Sequence, residues 1–145
     1  MLYDGEILET CVSRTDSLYI SDEKKLEIKN NLSISNNKKV LLFCPTYRTK
    51  GTYKLPFDPD KLIKVLNNSN EEWVIIIKLH YLNTLSAKYR NVIDCTNYSN
   101  INELLSISDL LITDYSSLMF DYSLLDKPAI FYQYDKKHYN SDRGF

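Results

Sequence analysis

The chain has 145 residues, enough to bury the core of one domain, with 18 lysine and arginine residues against 19 aspartate and glutamate residues. This near balance offers no basic surface for nucleic acid, and no apolar run approaches the roughly 20 residues of a membrane-spanning helix. The widely spaced Cys11, Cys44 and Cys95 argue against a disulfide framework or a thiolate metal site, so we expect a reducing, cytoplasmic setting.

The first elements along the chain are polar and short. Ser21 predicts the capped start of a helix over residues 21–31. We expect residues 1–37 to form an N-terminal extension and inter-domain linker that contains this helix. Residues 38–145 are expected to form the globular domain.

Short apolar runs then alternate with helical patterns. The runs are typical of buried strands, and they lie at residues 40–44, 73–79, 92–93, 110–112 and 128–132. Residues 46–57 are predicted to be a polar loop. Helix starts are predicted at Asp58-Pro59, near residue 83 for a short helix over 83–90, at Asn100 with Glu103 as a capping box, and at Ser116-Ser117.

This alternation indicates the fold class. Apolar strands that alternate with helices favour a parallel sheet covered on both faces, and right-handed crossovers make it doubly wound. The sequence therefore predicts an α/β domain of the Rossmann-like kind.

The stretch around Asp114-Tyr115-Ser116-Ser117 is the strongest candidate for a binding site. A buried strand that passes through a polar turn into a helix leaves backbone N–H groups pointing at one spot, beside two hydroxyls. This is a typical anion site. The alternative is an ordinary strand–turn–helix in which the serine only caps the helix.

Polar side chains follow the other predicted strands as well. Because ligands of such sheets bind outside the carboxyl ends of the strands, we expect these groups to share one rim. An arginine can bind phosphate oxygens in bidentate fashion, and an imidazole can take a proton from an attacking hydroxyl. The candidates are Thr46, Arg48, His80, Asp114, Ser116, Ser117, Tyr134 and Asp135.

Each candidate also has a simpler interpretation. Arg48 could pair with an acid, and His80 could be a surface histidine at a strand end. Lys78 could be a phosphate partner or an edge residue. No Gly-rich loop is present, which argues against NAD and ATP, and no paired-carboxylate signature is present, so we expect no metal and no cofactor.

Several motifs carry a family resemblance. They are Cys44-Pro45-Thr46-Tyr47-Arg48, Lys78-Leu79-His80, Ile101-Asn102-Glu103-Leu104-Leu105, Ile112-Thr113-Asp114-Tyr115-Ser116-Ser117, Met119-Phe120-Asp121, Leu125-Asp126-Lys127-Pro128 and Arg143-Gly144-Phe145. With them the chain resembles the CDP-glycerol glycerophosphotransferases, the teichoic-acid primases and polymerases of Gram-positive cell walls. The resemblance runs from about residue 13 to residue 145.

The resemblance implies a fold and a donor site. It places the chain in the second, nucleotide-binding half of a GT-B transferase, with the pyrophosphate of CDP-glycerol at Ser116 and Ser117. Arg48 and Arg143 match positions near phosphate groups, Thr46 belongs to the same substrate-binding set, and Asp114 would order the turn.

The resemblance also implies a reaction and its partners. A hydroxyl of a lipid-linked polyol-phosphate acceptor would attack the β-phosphate of CDP-glycerol, CMP would leave, and His80 matches the catalytic histidine of this half. The partners would be the donor, the acceptor and the N-terminal half of the same enzyme, working peripherally at the inner face of the cell membrane.

The sequence departs from this family in two ways. Members have a second essential histidine in their first half, whereas the only other histidine here is His138, and they continue beyond Arg143-Gly144-Phe145 into further helices. We therefore expect an incomplete domain that is inactive alone. The alternatives are a GT-B glycosyltransferase domain that uses a sugar nucleotide and a non-catalytic α/β module that packs against a partner.

Overall fold

The computed structural model of the protein describes residues 5, 13–48, 50–67 and 70–142. It contains a 3₁₀ helix at Ser13–Leu18 and the helices α1 (Asp22–Asn31), α2 (Pro59–Leu66), α3 (Ile101–Ile107), α4 (Leu118–Ser123) and α5 (Lys136–Asp142). The strands are β1 (Lys39–Phe43), β2 (Gly51–Tyr53), β3 (Trp73–Ile77), β4 (Asn83–Leu85), β5 (Val92–Asp94), β6 (Leu110–Thr113) and β7 (Ala129–Phe131).

Five of the strands form one parallel sheet in the order β5-β3-β1-β6-β7. The chain runs outward from β1 to β3 and β5, and then returns to the other side of β1 to form β6. The predicted doubly wound α/β fold is confirmed. The strand order reverses between β1 and β6, which is where open α/β sheets bind ligands.

Strand β1 shows how the sheet separates two cores. Val40 and Leu42 are fully buried on one face with the α3 side chains and Tyr122 of α4. Leu41 and Phe43 are buried on the other face with Ile63 of α2. Because successive side chains of a strand point to opposite faces, the continuous apolar run in β1 is the pattern that a sheet covered on both sides requires.

The segment predicted as an N-terminal extension and linker packs on this domain. Helix α1 begins after Ser21, as predicted, and the Ser21 side chain accepts a hydrogen bond from Lys24 N. Leu18, Ile28 and Ile34 are each at most 3% exposed and lie in the same core as Val40. These three side chains tie residues 18–34 to the first face of the sheet.

Two predictions between β1 and β5 were wrong. Residues 46–57 are not all loop, since they contain β2, and residues 83–90 contain β4 instead of the predicted helix. These strands pair in parallel as a second, two-stranded sheet, and Asn83 Nδ2 donates to Gly51 O over 3.2 Å. The pairing joins segments 32 residues apart, so local propensity could not reveal it.

Helix α3 is capped at both ends, although not entirely as predicted. Asn100 Oδ1 accepts from Asn102 N, but Glu103 accepts from Tyr98 Oη and does not complete the predicted capping box. At the other end Lys127 Nζ donates to the carbonyl oxygens of Ser106 and Ser108, over 2.9 and 2.6 Å. Its ammonium thus neutralises the negative end of α3.

Candidate active site

The site is organised by Asp114, which follows β6 and is only 3% exposed. Its Oδ1 accepts hydrogen bonds from Thr46 N over 2.8 Å, from Thr46 Oγ1 over 2.6 Å and from Tyr115 N over 2.6 Å. Strands β1 and β6 are neighbours, so the loop after one lies against the turn after the other. Asp114 joins these two segments, and its role in substrate binding stays a prediction.

Arg48 forms hydrogen bonds with two carboxylates of the protein itself. Its Nη2 donates to Asp114 Oδ2 over 2.6 Å, its Nε donates to Asp135 Oδ2 over 2.7 Å, and its Nη1 donates to Thr46 O over 2.7 Å. The hydrogen bond from Arg48 lowers the pKa of Asp135 below its ordinary value. The guanidinium also lies over the stacked rings of Tyr115 and Tyr139. The pairing interpretation of Arg48 is the one that the geometry supports.

Three of the predicted residues meet in one open cleft. Thr46, His80 and Ser116 line a space of about 360 Å³ at the carboxyl ends of β1, β3 and β6. Larger depressions of about 510 and 560 Å³ lie beside β5 and beside α1, but neither is lined by a histidine. The other lining residues are Cys44, Pro45, Tyr47, Lys78, Leu79, Tyr81, Ile101 and Leu118.

His80 is oriented by its neighbours. Its ring contacts the rings of both Tyr47 and Tyr81, with centroid distances of 4.5 and 4.4 Å. Its Nδ1 accepts a hydrogen bond from Leu82 N over 3.3 Å. A ring nitrogen that accepts cannot carry the proton of the neutral imidazole, so the neutral ring is protonated on Nε2.

The two serines before α4 have different positions. Ser116 is half-buried and lines the cleft, and its Oγ accepts from Leu118 N over 3.2 Å, so its own proton can be donated elsewhere. Ser117 is the exposed N-cap of α4, and its side chain forms no capping hydrogen bond. The structure therefore separates a pair that the sequence treated as one site.

Lys78 and Cys44 also line the cleft. Lys78 Nζ donates to Thr96 O over 2.7 Å and brings a positive charge to the cleft wall. Burial raises the pKa of the Cys44 thiol to about 12, so this thiol is protonated at neutral pH and is a poor nucleophile.

The remaining predictions for the rim had mixed outcomes. Asp135 pairs with Arg48, and Tyr134 Oη lies 3.3 Å from Tyr53 Oη, so both contribute to the support behind the cleft. Arg143 lies outside the described residues. Tyr47 and Tyr81 were missed as lining residues. Their only signal was adjacency to predicted residues, which is weak in a chain with 12 tyrosines.

The described part of the chain has neither a metal-binding cluster nor a membrane-spanning helix. No three His, Cys, Asp or Glu side chains there cluster in a way that could hold a metal ion. No helix there combines the length and the apolar character needed to cross a bilayer.

Comparison with known proteins gives consistent matches. The family model described as CDP-Glycerol:Poly(glycerophosphate) glycerophosphotransferase matches residues 1–145. A teichoic acid poly(glycerol phosphate) polymerase of Staphylococcus epidermidis is 42% identical over 98% of this chain and 21% of its own length. A teichoic acid glycerol-phosphate primase of Bacillus subtilis is 40% identical over 97% of this chain and 37% of its own length.

Solved structures agree with these relatives. The wall teichoic acid polymerase TagF superposes with a TM-score of 0.79 at 38% identity, over 95% of this chain and 36% of TagF. An Escherichia coli ADP-heptose heptosyltransferase superposes with a TM-score of 0.54 at 15% identity, which shows a shared fold alone. The chain spans well under half the length of the relatives that it matches.

Proposed function

The chain belongs to the CDP-glycerol:poly(glycerophosphate) glycerophosphotransferase family, and from that premise we propose that it is the donor-binding half of a glycerophosphotransferase. The donor is CDP-glycerol, the acceptor is a polyol-phosphate chain of the teichoic-acid type, and CMP is released. The observation that carries the proposal is the convergence of His80, Ser116 and Lys78 on one cleft at the point where the strand order reverses.

The cleft offers hydrogen-bond donors and positive charge for a diphosphate. Ser116 can donate its hydroxyl proton, because its oxygen already accepts from Leu118 N. His80 can donate from Nε2, because Nδ1 already accepts from Leu82 N. Lys78 adds an ammonium group at the same wall. Two neutral donors and one cation suit a ligand whose exposed atoms are all anionic acceptors.

This geometry gives His80 a defined role in the transfer. The acceptor hydroxyl forms a new bond to the β-phosphorus, the bond from that phosphorus to the bridging oxygen breaks, and CMP leaves with the electron pair. His80, protonated on Nε2, donates to the phosphate oxygens on which negative charge grows. Acting as the base would require the proton on Nδ1 and the loss of the hydrogen bond from Leu82, so we assign the hydroxyl proton to the histidine of the proposed N-terminal half.

A relative supports the choice of donor. A structure of a TagF variant soaked with CDPG superposes on this chain with a TM-score of 0.74 at 39% identity, over 91% of this chain and 34% of TagF. Arg48 and Asp114 support the donor cleft from behind, and we propose Arg143 as a further phosphate-binding residue. We further propose that the transfer needs no metal or cofactor, so EDTA should not lower it.

The proposed transfer also involves partners other than the donor. The proposed partners are an N-terminal half with its own histidine and a lipid-linked acceptor, which would bring the protein to the inner face of the membrane. The decisive measurement for this part is transfer of glycerol phosphate by the chain joined to such a half. No transfer after correct assembly would contradict it.

Ligand binding by the chain itself tests the donor site. Thermal unfolding should be followed with CDP-glycerol, CDP, UDP-glucose, NADH and ATP. At a concentration 100-fold above Kd, CDP-glycerol and CDP should raise the Tm by roughly 5–10 °C, and the other three should not. Equal shifts with all five would contradict the proposal, and a shift with UDP-glucose alone would favour a sugar-nucleotide donor.

Substitution of His80 tests its role. His80→Ala should weaken CDP-glycerol binding about ten-fold, whereas His80→Gln, which can place an N–H near the position of Nε2, should retain more of the affinity. Equal losses in both variants would argue against His80 as a hydrogen-bond donor.

A further inference from the structure

The hydroxyl of Thr46 has a fixed hydrogen-bond polarity. Its Oγ1 lies 2.6 Å from Asp114 Oδ1, and Asp114 also accepts from Thr46 N, Tyr115 N and Arg48 Nη2. Every neighbour in this set donates to the carboxylate, which holds no proton to give back. Thr46 must therefore donate its single hydroxyl proton to Asp114.

The consequence lies on the cleft side of Thr46. A threonine hydroxyl has one proton and two lone pairs, so a hydroxyl that donates to Asp114 can present only lone pairs to a ligand. Thr46 lines the same cleft as His80 and Ser116, which can both donate to a ligand. The cleft thus combines two donor positions with one acceptor position.

An acceptor does not suit a phosphate. Phosphate oxygens of a nucleoside diphosphate carry negative charge and themselves accept hydrogen bonds, so they would be repelled by the lone pairs of Thr46. Thr46 was expected to bind the phosphates or the nucleotide of the donor, and its hydrogen bond to Asp114 conflicts with the first of these roles. The group that fits this position is a hydrogen-bond donor of the substrate.

We propose that Thr46 Oγ1 accepts a hydrogen bond from a hydroxyl of the nucleotide-alditol donor, carried by its alditol or by its ribose. The inference rests on the proposed function, because it assumes that such a donor occupies this cleft. It makes Thr46 a specificity residue, since a ligand without the hydroxyl would leave a desolvated acceptor unpaired.

Removing the hydroxyl at constant shape gives a direct test. Thr46→Val keeps the branched side chain and the hydrogen bond from the backbone N–H to Asp114, and Thr46→Ser keeps the hydroxyl. Thr52→Val is the matched control, because Thr52 is an exposed residue of β2 that does not line the cleft. Binding of CDP-glycerol, CDP and inorganic pyrophosphate to the full chain should be measured by calorimetry.

Thr46→Val should weaken CDP-glycerol binding about three- to ten-fold, while Thr46→Ser and Thr52→Val stay within about two-fold of the wild type. Pyrophosphate binding, measured at a pH above the last pKa of pyrophosphate, should not fall, because the fully ionised anion carries no hydroxyl. A loss confined to CDP-glycerol assigns the hydroxyl to the alditol, and a loss shared by CDP assigns it to the ribose. An unchanged affinity for CDP-glycerol, or an equal loss for pyrophosphate, overturns the inference.

A second measurement serves if Thr46→Val does not fold. The wild-type affinity for CDP-glycerol is then compared with that for CDP-propanol, which lacks the alditol hydroxyls, and with that for the 2′,3′-dideoxyribose analogue of CDP-glycerol. One of the two should bind at least three-fold more weakly, and equal affinities overturn the inference. Failure of the wild type to bind CDP-glycerol at all would overturn the proposed function as well, whereas binding that is independent of Thr46 would overturn this inference alone.

Discussion

Arg48 Nη2 donates to Asp114 Oδ2 over 2.6 Å, although the two residues lie 66 positions apart in the chain. The side chains are 17% and 2% exposed, and the same guanidinium reaches Asp135 ahead of α5. One partly buried cation therefore joins three separate segments behind the cleft. Because Asp114 also holds Thr46, this ion pair supports the wall against which the donor is proposed to bind.

Removing the cation should destabilise the fold. Arg48→Met leaves the buried carboxylate of Asp114 unpaired and should lower the free energy of unfolding by about 3 kcal/mol. Arg48→Lys keeps the charge but loses the planar fork, and should cost about 1–2 kcal/mol. Urea unfolding followed by circular dichroism measures both values.

Arg14→Met is the matched control, because the side chain of Arg14 is 62% exposed in its ion pair with Asp121. This substitution should lower the free energy of unfolding by less than about 1 kcal/mol. Similar losses at Arg14 and Arg48 would refute the structural role of Arg48.

The hydrogen bond from Arg48 to Asp135 should make stability depend on acid pH. It lowers the pKa of Asp135 in the folded protein, so this carboxylate contributes stability above its unfolded pKa of about 3.9, and the contribution is lost as the pH falls through the folded value. Asp135→Asn should therefore destabilise the protein most at pH 7 and progressively less below about pH 4. Urea unfolding of both proteins across this range provides the measurement, and a difference that does not change with pH would disprove the linkage.

The two serines before α4 should differ in ligand binding. Ser116 lines the cleft and can donate its proton, so Ser116→Ala should weaken CDP binding about three- to ten-fold. Ser117 is exposed and does not line the cleft, so Ser117→Ala should change the affinity by less than about two-fold. Calorimetric titration with CDP decides the matter. The reverse order of effects would mean that the diphosphate lies outside this cleft.

The described thiols should react slowly in the folded protein. Burial raises the pKa of Cys44 to about 12 and that of Cys95 to about 11, so at pH 8 only about one thiol in a thousand or fewer is ionised. In a Cys11→Ser variant, the thiols of Cys44 and Cys95 should resist alkylation by iodoacetamide at pH 8. Both should be alkylated readily once the protein is unfolded in urea. The number of alkylated residues is read by mass spectrometry. Rapid modification of the native protein would contradict the raised pKa of these thiols.

Local signals in the sequence predicted the parts of the fold that are made locally. The apolar runs of β1 and β6 fell within a residue of their observed bounds, because a strand covered on both faces needs an uninterrupted apolar stretch. Ser21 and the Asp58-Pro59 pair marked the starts of α1 and α2, because capping depends on residues within one helical turn. The rim carrying His80 and Ser116 followed from the direction of parallel strands.

These local signals could not predict strand pairing between distant segments. Strands β2 and β4 stabilise each other across more than thirty residues, and each alone has no strand signature that separates it from a loop or a helix. The exposed strand β7 was predicted correctly as a strand, but its place at the open edge follows from the sheet order, which leaves it with one neighbour in the described chain.

The amino-acid sequence by itself determined the doubly wound α/β fold, the family and the set of polar residues at one end of the sheet. Apolar periodicity, helix caps and motifs depend only on residues that are close together in the chain. Only the tertiary structure decided what each of those residues does. The neighbouring positions of β1 and β6 bring Asp114 to both Arg48 and Thr46, which engages the guanidinium and fixes the direction of the hydroxyl proton. Hydrogen-bond polarity depends on which partner is near in space, and that is settled when the strands pair.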